Sequence, residues 1–118
     1  MIISYLEMFK NLQISKKELC NNIGKKLHDI TIDNPVIVNT TDVINVLDAY
    51  KIGKISINQM LEWVNIVWFT DLFEYDERQC DSIASVLNVL EELDEKDKNL
   101  TEDDIDKYIT VLLNNDEI

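Results

Sequence analysis

The chain has 118 residues, a length that bounds it to one domain. Its 11 Lys+Arg against 23 Asp+Glu give a formal charge of −12, which excludes nucleic-acid binding as the default, while 46% hydrophobic residues exclude a disordered acidic tail. No apolar run approaches the ~18 residues of a membrane span, and Met1–Glu7 has no basic segment and an acid where a secretion signal is apolar, so a cytoplasmic protein without membrane partners is expected.

Apolar positions recur with helical spacing almost throughout. Ile2, Tyr5, Leu6 and Phe9 define a short first helix. Ser15 and Glu18 form a capping box, the hydroxyl covering one free backbone N–H and the carboxylate reaching back to another. They open a second helix through Leu19, Ile23 and Leu27, weakened within by Gly24 by about 1 kcal/mol relative to Ala. Its Lys16, Lys17, Lys25 and Lys26 are the basic cluster of the chain. Ile30-Thr31-Ile32 and Val36-Ile37-Val38 are β-branched runs around the turn signal Asp33-Asn34-Pro35, and read as either a minimal hairpin over 30–38 or an extended crossover.

A third helix begins near Thr41, carries Val43, Val46, Leu47 and Tyr50 on one face, and stops at Gly53. Ser56 with Gln59 caps a fourth, which runs to about Phe69. Apolar residues cover most sides of it, so it should be central, with Trp63 and Trp68 largely buried. Asp76 with Gln79 starts a fifth helix facing inward through Ile83, Val86, Leu87, Leu90 and Leu93. After a charged loop at 94–99, Thr101 with Asp104 starts a last helix with Ile105, Tyr108, Ile109, Leu112 and Leu113 inward. The expected fold is all-α: a single-domain bundle, residues 1–118, of five to six mostly antiparallel helices.

Charge divides the chain unevenly. Residues 1–59 carry 7 Lys and 6 acids, whereas residues 60–118 carry 4 basic groups and 17 acids. The whole negative excess therefore lies in the second half, an asymmetry that speaks to partners. The 16 Ile and 12 Asn against 2 Ala reflect the codon bias of an AT-rich bacterial genome and carry no functional meaning.

Signs of catalysis are few. Cys20 and Cys80 stand 60 positions apart and His28 is the sole histidine, too few soft ligands for zinc or an iron–sulfur cluster. Asp48–Gln59 has the outline of a calcium loop, with Asp first and Gly53 sixth, but Tyr50, Ile52 and Gln59 occupy positions that need oxygen ligands. Glu74, Asp76, Glu77 and Asp81 cluster at a helix start, where acids favour the helix dipole without doing acid–base chemistry. No Gly-rich phosphate loop or nucleophile motif occurs. Neither an enzyme nor a bound cofactor or metal is expected.

The segment Thr70–Asp76 stands apart. It interleaves Leu72, Phe73 and Tyr75 with Asp71, Glu74 and Asp76, and aromatic anchors among charges are the composition of interface hot spots. The plainer reading is that Leu72, Phe73 and Tyr75 plug the end of the bundle.

From Tyr50 the sequence reads Tyr-x-x-Gly-x-Ile-Ser-x-x-x-Met-Leu-x-Trp-x-Asn65, followed by an acidic helix and then Leu100-Thr101-x-Asp103-x-Ile105. This resembles a widespread group of small helical bacterial proteins, among them immunity proteins that neutralise the toxin domains of contact-dependent growth inhibition and similar polymorphic toxin systems. The resemblance spans residues 50–113 and its pattern is structural: Tyr50 as a packing residue, Gly53 as a turn, Ser56 as a cap and Trp63 as a core aromatic. It implies a protein that binds a cognate toxin domain. A basic, nuclease-type toxin fits the acidic second half, because nucleases grip a polyanion and an acidic partner can occupy that surface. The expected contact residues are Asp71, Phe73, Glu74, Tyr75, Asp76, Glu77 and Asp81, with the acidic stretch Asp94–Asp106 as competitor and the lysine cluster away from the interface. The alternative is a regulatory or adaptor domain that takes a partner helix into a hydrophobic groove.

Overall fold

A computed structural model describes residues 2–24, 27, 30, 32–96 and 100–118 of the chain. The described residues are 65% helical, with six helices and one small sheet. In chain order they are α1 (Ile2–Lys10), α2 (Lys16–Ile23), β1 (Val36–Val38), α3 (Thr40–Lys51), α4 (Ile57–Phe69), β2 (Phe73–Tyr75), α5 (Cys80–Lys96) and α6 (Glu102–Leu113). Lys25, Lys26, His28, Thr31 and the part of the charged loop at 97–99, all singled out in the sequence, lie outside the described residues.

Helix starts follow local chemistry. Ser15–Glu18, Ser56–Gln59 and Thr101–Asp104 each close the reciprocal pair of bonds of a capping box. A fourth box, Asn39–Asp42, opens α3 at Thr40, one residue earlier than the sequence suggested. Asp76 and Gln79, in contrast, share only the backbone bond from the Gln79 N–H to the Asp76 carbonyl at 2.9 Å and close no capping box. The Asp76 carboxylate accepts from the Arg78 N–H at 2.9 Å, forming an Asx turn, and α5 begins after Gln79, whose carbonyl takes the Ile83 N–H at 3.0 Å. The Gln79 side chain is used elsewhere: its Oε1 accepts the Thr40 N–H at 3.0 Å, tying the starts of α3 and α5 together. Gly24 likewise ends α2 instead of interrupting it, at φ 75°, a left-handed cap conformation in which glycine has no Cβ to clash. Gly53 turns the chain after α3 in the same way, at φ 79°.

The β-branched run at 36–38 forms a strand, but among the described residues it has no hairpin partner within 30–38. Ile30 is buried in a turn with its N–H on the Leu27 carbonyl at 3.4 Å. Val36, Ile37 and Val38 instead pair in parallel with Phe73, Glu74 and Tyr75, and the α3–α4 pair forms the crossover that parallel strands require. The ladder is closed by Val36 N–H to Leu72 O at 3.0 Å and Asp76 N–H to Val38 O at 2.8 Å.

Around this pair, α3 packs on α6, α4 and α5, α4 on α5, and α1 on α2 and β1. Trp63 lies at the centre at 1% exposure, its indole N–H satisfied by the Lys10 carbonyl at 3.1 Å. Leu6, Leu19, Val38, Leu47, Met60, Leu72, Ile83 and Leu87 complete the core about it. Apolar character overstated burial at two helix ends. Trp68 is half-buried and Phe69 54% exposed, because α4 ends there and only the segment after it provides cover. Leu113 is 70% exposed, lying about 100° around α6 from the buried Leu112.

Candidate partner-binding surface

Alternation along the two strands sorts their side chains. Val36, Val38 and Phe73 face the core, whereas Ile37 and Glu74, which stand opposite one another in the register, face out and are exposed. Phe73, expected among the exposed anchors, is therefore a core residue at 6% exposure, and Leu72 beneath it is fully buried. The reason is the parity of a strand: with Glu74 outward, its neighbours on either side turn in. The plugging role foreseen for these residues describes Leu72 and Phe73.

Tyr75 is half-buried. Its ring stacks on Trp68 with centroids 6.4 Å apart and planes 26° from parallel. Burial pushes its hydroxyl up to about 12, so the ring carries no charge at neutral pH and can donate a hydrogen bond. With the exposed Phe69 on the preceding turn, Trp68 and Tyr75 make an aromatic corner at the exit of α4. Trp68 and Phe69 were read from the sequence as part of a buried helix. Their position in its last turn was the signal that they border this surface.

The acids of the segment divide by their bonding. Asp76 is half-buried and holds the turn into α5, while Asp81 is exposed beside the Cys80 thiol, with Sγ to Oδ1 at 3.9 Å. Asp71, Glu74 and Glu77 are exposed and make no side-chain hydrogen bond or ion pair among the described residues. Glu74 and Glu77 border an open concavity of about 550 Å³ whose other lining residues are Ile37, Tyr75 and Cys80. Of the seven residues expected at the interface, Glu74, Tyr75 and Glu77 thus share one concavity, Asp71, Asp76 and Asp81 lie on the segments beside it, and Phe73 lies underneath. Ile37 and Cys80 were missed, since only the pairing of strands 37 positions apart in sequence brings Ile37 to Glu74.

Elsewhere several acids are engaged within the fold. In α6, Asp104 completes the capping box and Asp106 pairs with Lys51, whose pKa is raised chiefly by that hydrogen bond. Asp42 is the most enclosed acid: its Oδ2 accepts the Asn39 N–H at 3.0 Å and lies 3.5 Å from Lys10 Nζ, which also donates to the Ile37 carbonyl at 3.3 Å. Lys16 and Lys17 are exposed on α2. Cys20 and Cys80 are free thiols on helices, no group of three or more metal-binding side chains occurs among the described residues, and none of their helices is long and apolar enough to cross a membrane.

The arrangement presents a shallow, negatively charged seat with an aliphatic floor and an aromatic side, built for contact. Compared with known protein families, with curated proteins and with solved structures, the chain matches none.

Proposed function

We propose that this protein is an immunity protein, which binds a cognate bacterial toxin domain of basic, nuclease type through its acidic second half and so neutralises it. The observation that carries the reading is that Glu74 and Glu77 are exposed acids without side-chain partners among the described residues and line one concavity with Tyr75 and Ile37, with the equally exposed Asp71 on the segment before β2. A surface of unpaired like charge raises the local electrostatic potential, which steers an oppositely charged protein and can lift association toward ~10⁸–10⁹ M⁻¹s⁻¹. Phe69, Trp68 and Tyr75 supply ring area of the kind that slows dissociation. Inhibition on this reading is by occlusion; no residue of the chain acts on a substrate.

The alternative, an adaptor that takes a partner helix into a hydrophobic groove, has less support. Such a groove needs apolar anchors at helical spacing, whereas Ile37 is the one large aliphatic residue lining the concavity.

The test is neutralisation. The gene directly upstream should encode a large secreted protein that ends in a small basic domain, and that domain is expressed alone and with this protein. Rescue of growth, a stoichiometric complex and loss of the domain's activity in that complex are expected. A neighbouring gene without such a domain, or a domain whose toxicity persists in the presence of this protein, would overturn the proposal.

A further inference from the structure

The outer face of the β1–β2 pair is unusual for parallel strands, which are ordinarily covered on both faces. Here the inner face is filled by Val36, Val38 and Phe73, while Ile37 is 47% exposed opposite Glu74. We infer that this face is the seat of one long cationic side chain, an arginine or lysine carried on an extended segment of the basic partner, with its stem on Ile37 and its charged head between Glu74 and Glu77. This rests on the reading of the surface as the site of a basic partner, and specifies what that partner inserts.

Three observations select this occupant. The concavity of about 550 Å³ has the size of a cleft that encloses a side chain with its flanking backbone. Its floor is aliphatic and its rim carboxylate, matching a residue that lays methylene groups on apolar surface and keeps its charge at the edge. An anion is repelled by Glu74 and Glu77, and a wholly apolar group would strip water from both carboxylates without replacing their hydrogen bonds. Finally, no basic side chain of the described residues lines the seat: Lys10, which reaches the Ile37 carbonyl from α1, is held by Asp42. Arginine should be preferred to lysine, since its planar fork presents several donors to carboxylates where an ammonium is a point charge.

The probe is the peptide acetyl-Ala-Arg-Ala-amide, titrated at low salt into the ¹⁵N-labelled full chain, with the citrulline peptide as an isosteric neutral control. Amide shifts centred on Ile37, Glu74, Tyr75 and Glu77 are expected for arginine, smaller ones for the lysine peptide and none for citrulline. In Glu74→Gln/Glu77→Gln the arginine affinity should fall about tenfold or more, as befits loss of charge-assisted bonds, with the rest of the spectrum unchanged as proof of folding. Equal shifts with citrulline, or arginine shifts centred on Glu102–Asp104 and indifferent to the double variant, would overturn the seat. Either result would leave the neutralisation reading to its own test, and failure to neutralise any basic domain would leave the peptide result standing.

Discussion

Two acidic regions of this protein look alike in composition and differ in what their carboxylates do. Along α6 and at the start of α3 the fold uses several of them: Asp104 and Asp42 close capping boxes, Asp42 also holds Lys10, and Asp106 pairs with Lys51, while Glu102 and Asp103 are exposed acids in the first turn of α6, where the helix dipole favours them. Around β2 and the turn after it, Asp71, Glu74 and Glu77 make no side-chain hydrogen bond or ion pair among the described residues. Like charges without counter-ions lower stability slightly, so a region that keeps them answers to something other than folding. Net charge alone therefore misjudges where a partner would land; the count that matters is of acids left over once the fold has used its own.

The contrast can be broken by substitution. The largest effect should come from Asp42→Ala. It removes a cap and leaves the Lys10 ammonium, with its side chain at 15% exposure, without its partner. A loss of about 2–4 kcal/mol in urea unfolding is expected, without a change in affinity for a basic partner beyond that due to unfolding. Thr101→Ala, which uncaps α6, should cost about 1 kcal/mol in the same assay. Glu74→Gln/Glu77→Gln should leave the unfolding midpoint unchanged or raise it slightly while slowing association. A drop in midpoint comparable to that of Asp42→Ala would place these two acids with those the fold uses.

A smaller effect concerns Tyr75, the neutral ring beside the acids. Its hydroxyl titrates at about 12 in the folded chain against the ordinary 10.0 when unfolded, so its contribution is complete below pH 10 and is lost as the pH rises toward 12. Tyr75→Phe should make alkaline unfolding less steep over that range and remove the latest step from the phenolate absorbance titration. Tyr108, raised by burial and then by the Asp104 charge, should remain.

Much of the helical framework was legible because its signals are local. Ser15–Glu18, Ser56–Gln59 and Thr101–Asp104 act within four residues, and the stripe from Met60 to Val67 announced a buried helix around Trp63. What escaped depends on distant pairing. Nothing near Val36–Val38 says that its partner is Phe73–Tyr75, so the sequence leaves a hairpin over 30–38 and an extended crossover both open. The same pairing decides that Phe73 points inward and that Ile37 arrives beside Glu74, which is why the acids of the surface could be named from sequence and its floor could not. Asp76–Gln79 has the spacing of a capping box, yet Gln79 reaches the start of α3 instead, a bond that exists only once those two helices have met.

The account stands or falls on which acids meet the partner. The most direct measurement is the association rate with the basic toxin domain encoded alongside, at two salt concentrations, for Glu74→Lys/Glu77→Lys and for Glu102→Lys/Asp103→Lys. The first pair should lower the association rate and flatten its salt dependence the more strongly, because it reverses charge at the contact itself, while the second acts only through the distant field. Unchanged kinetics for the first pair, with the loss falling on the second, would contradict the account and move the interface to α6.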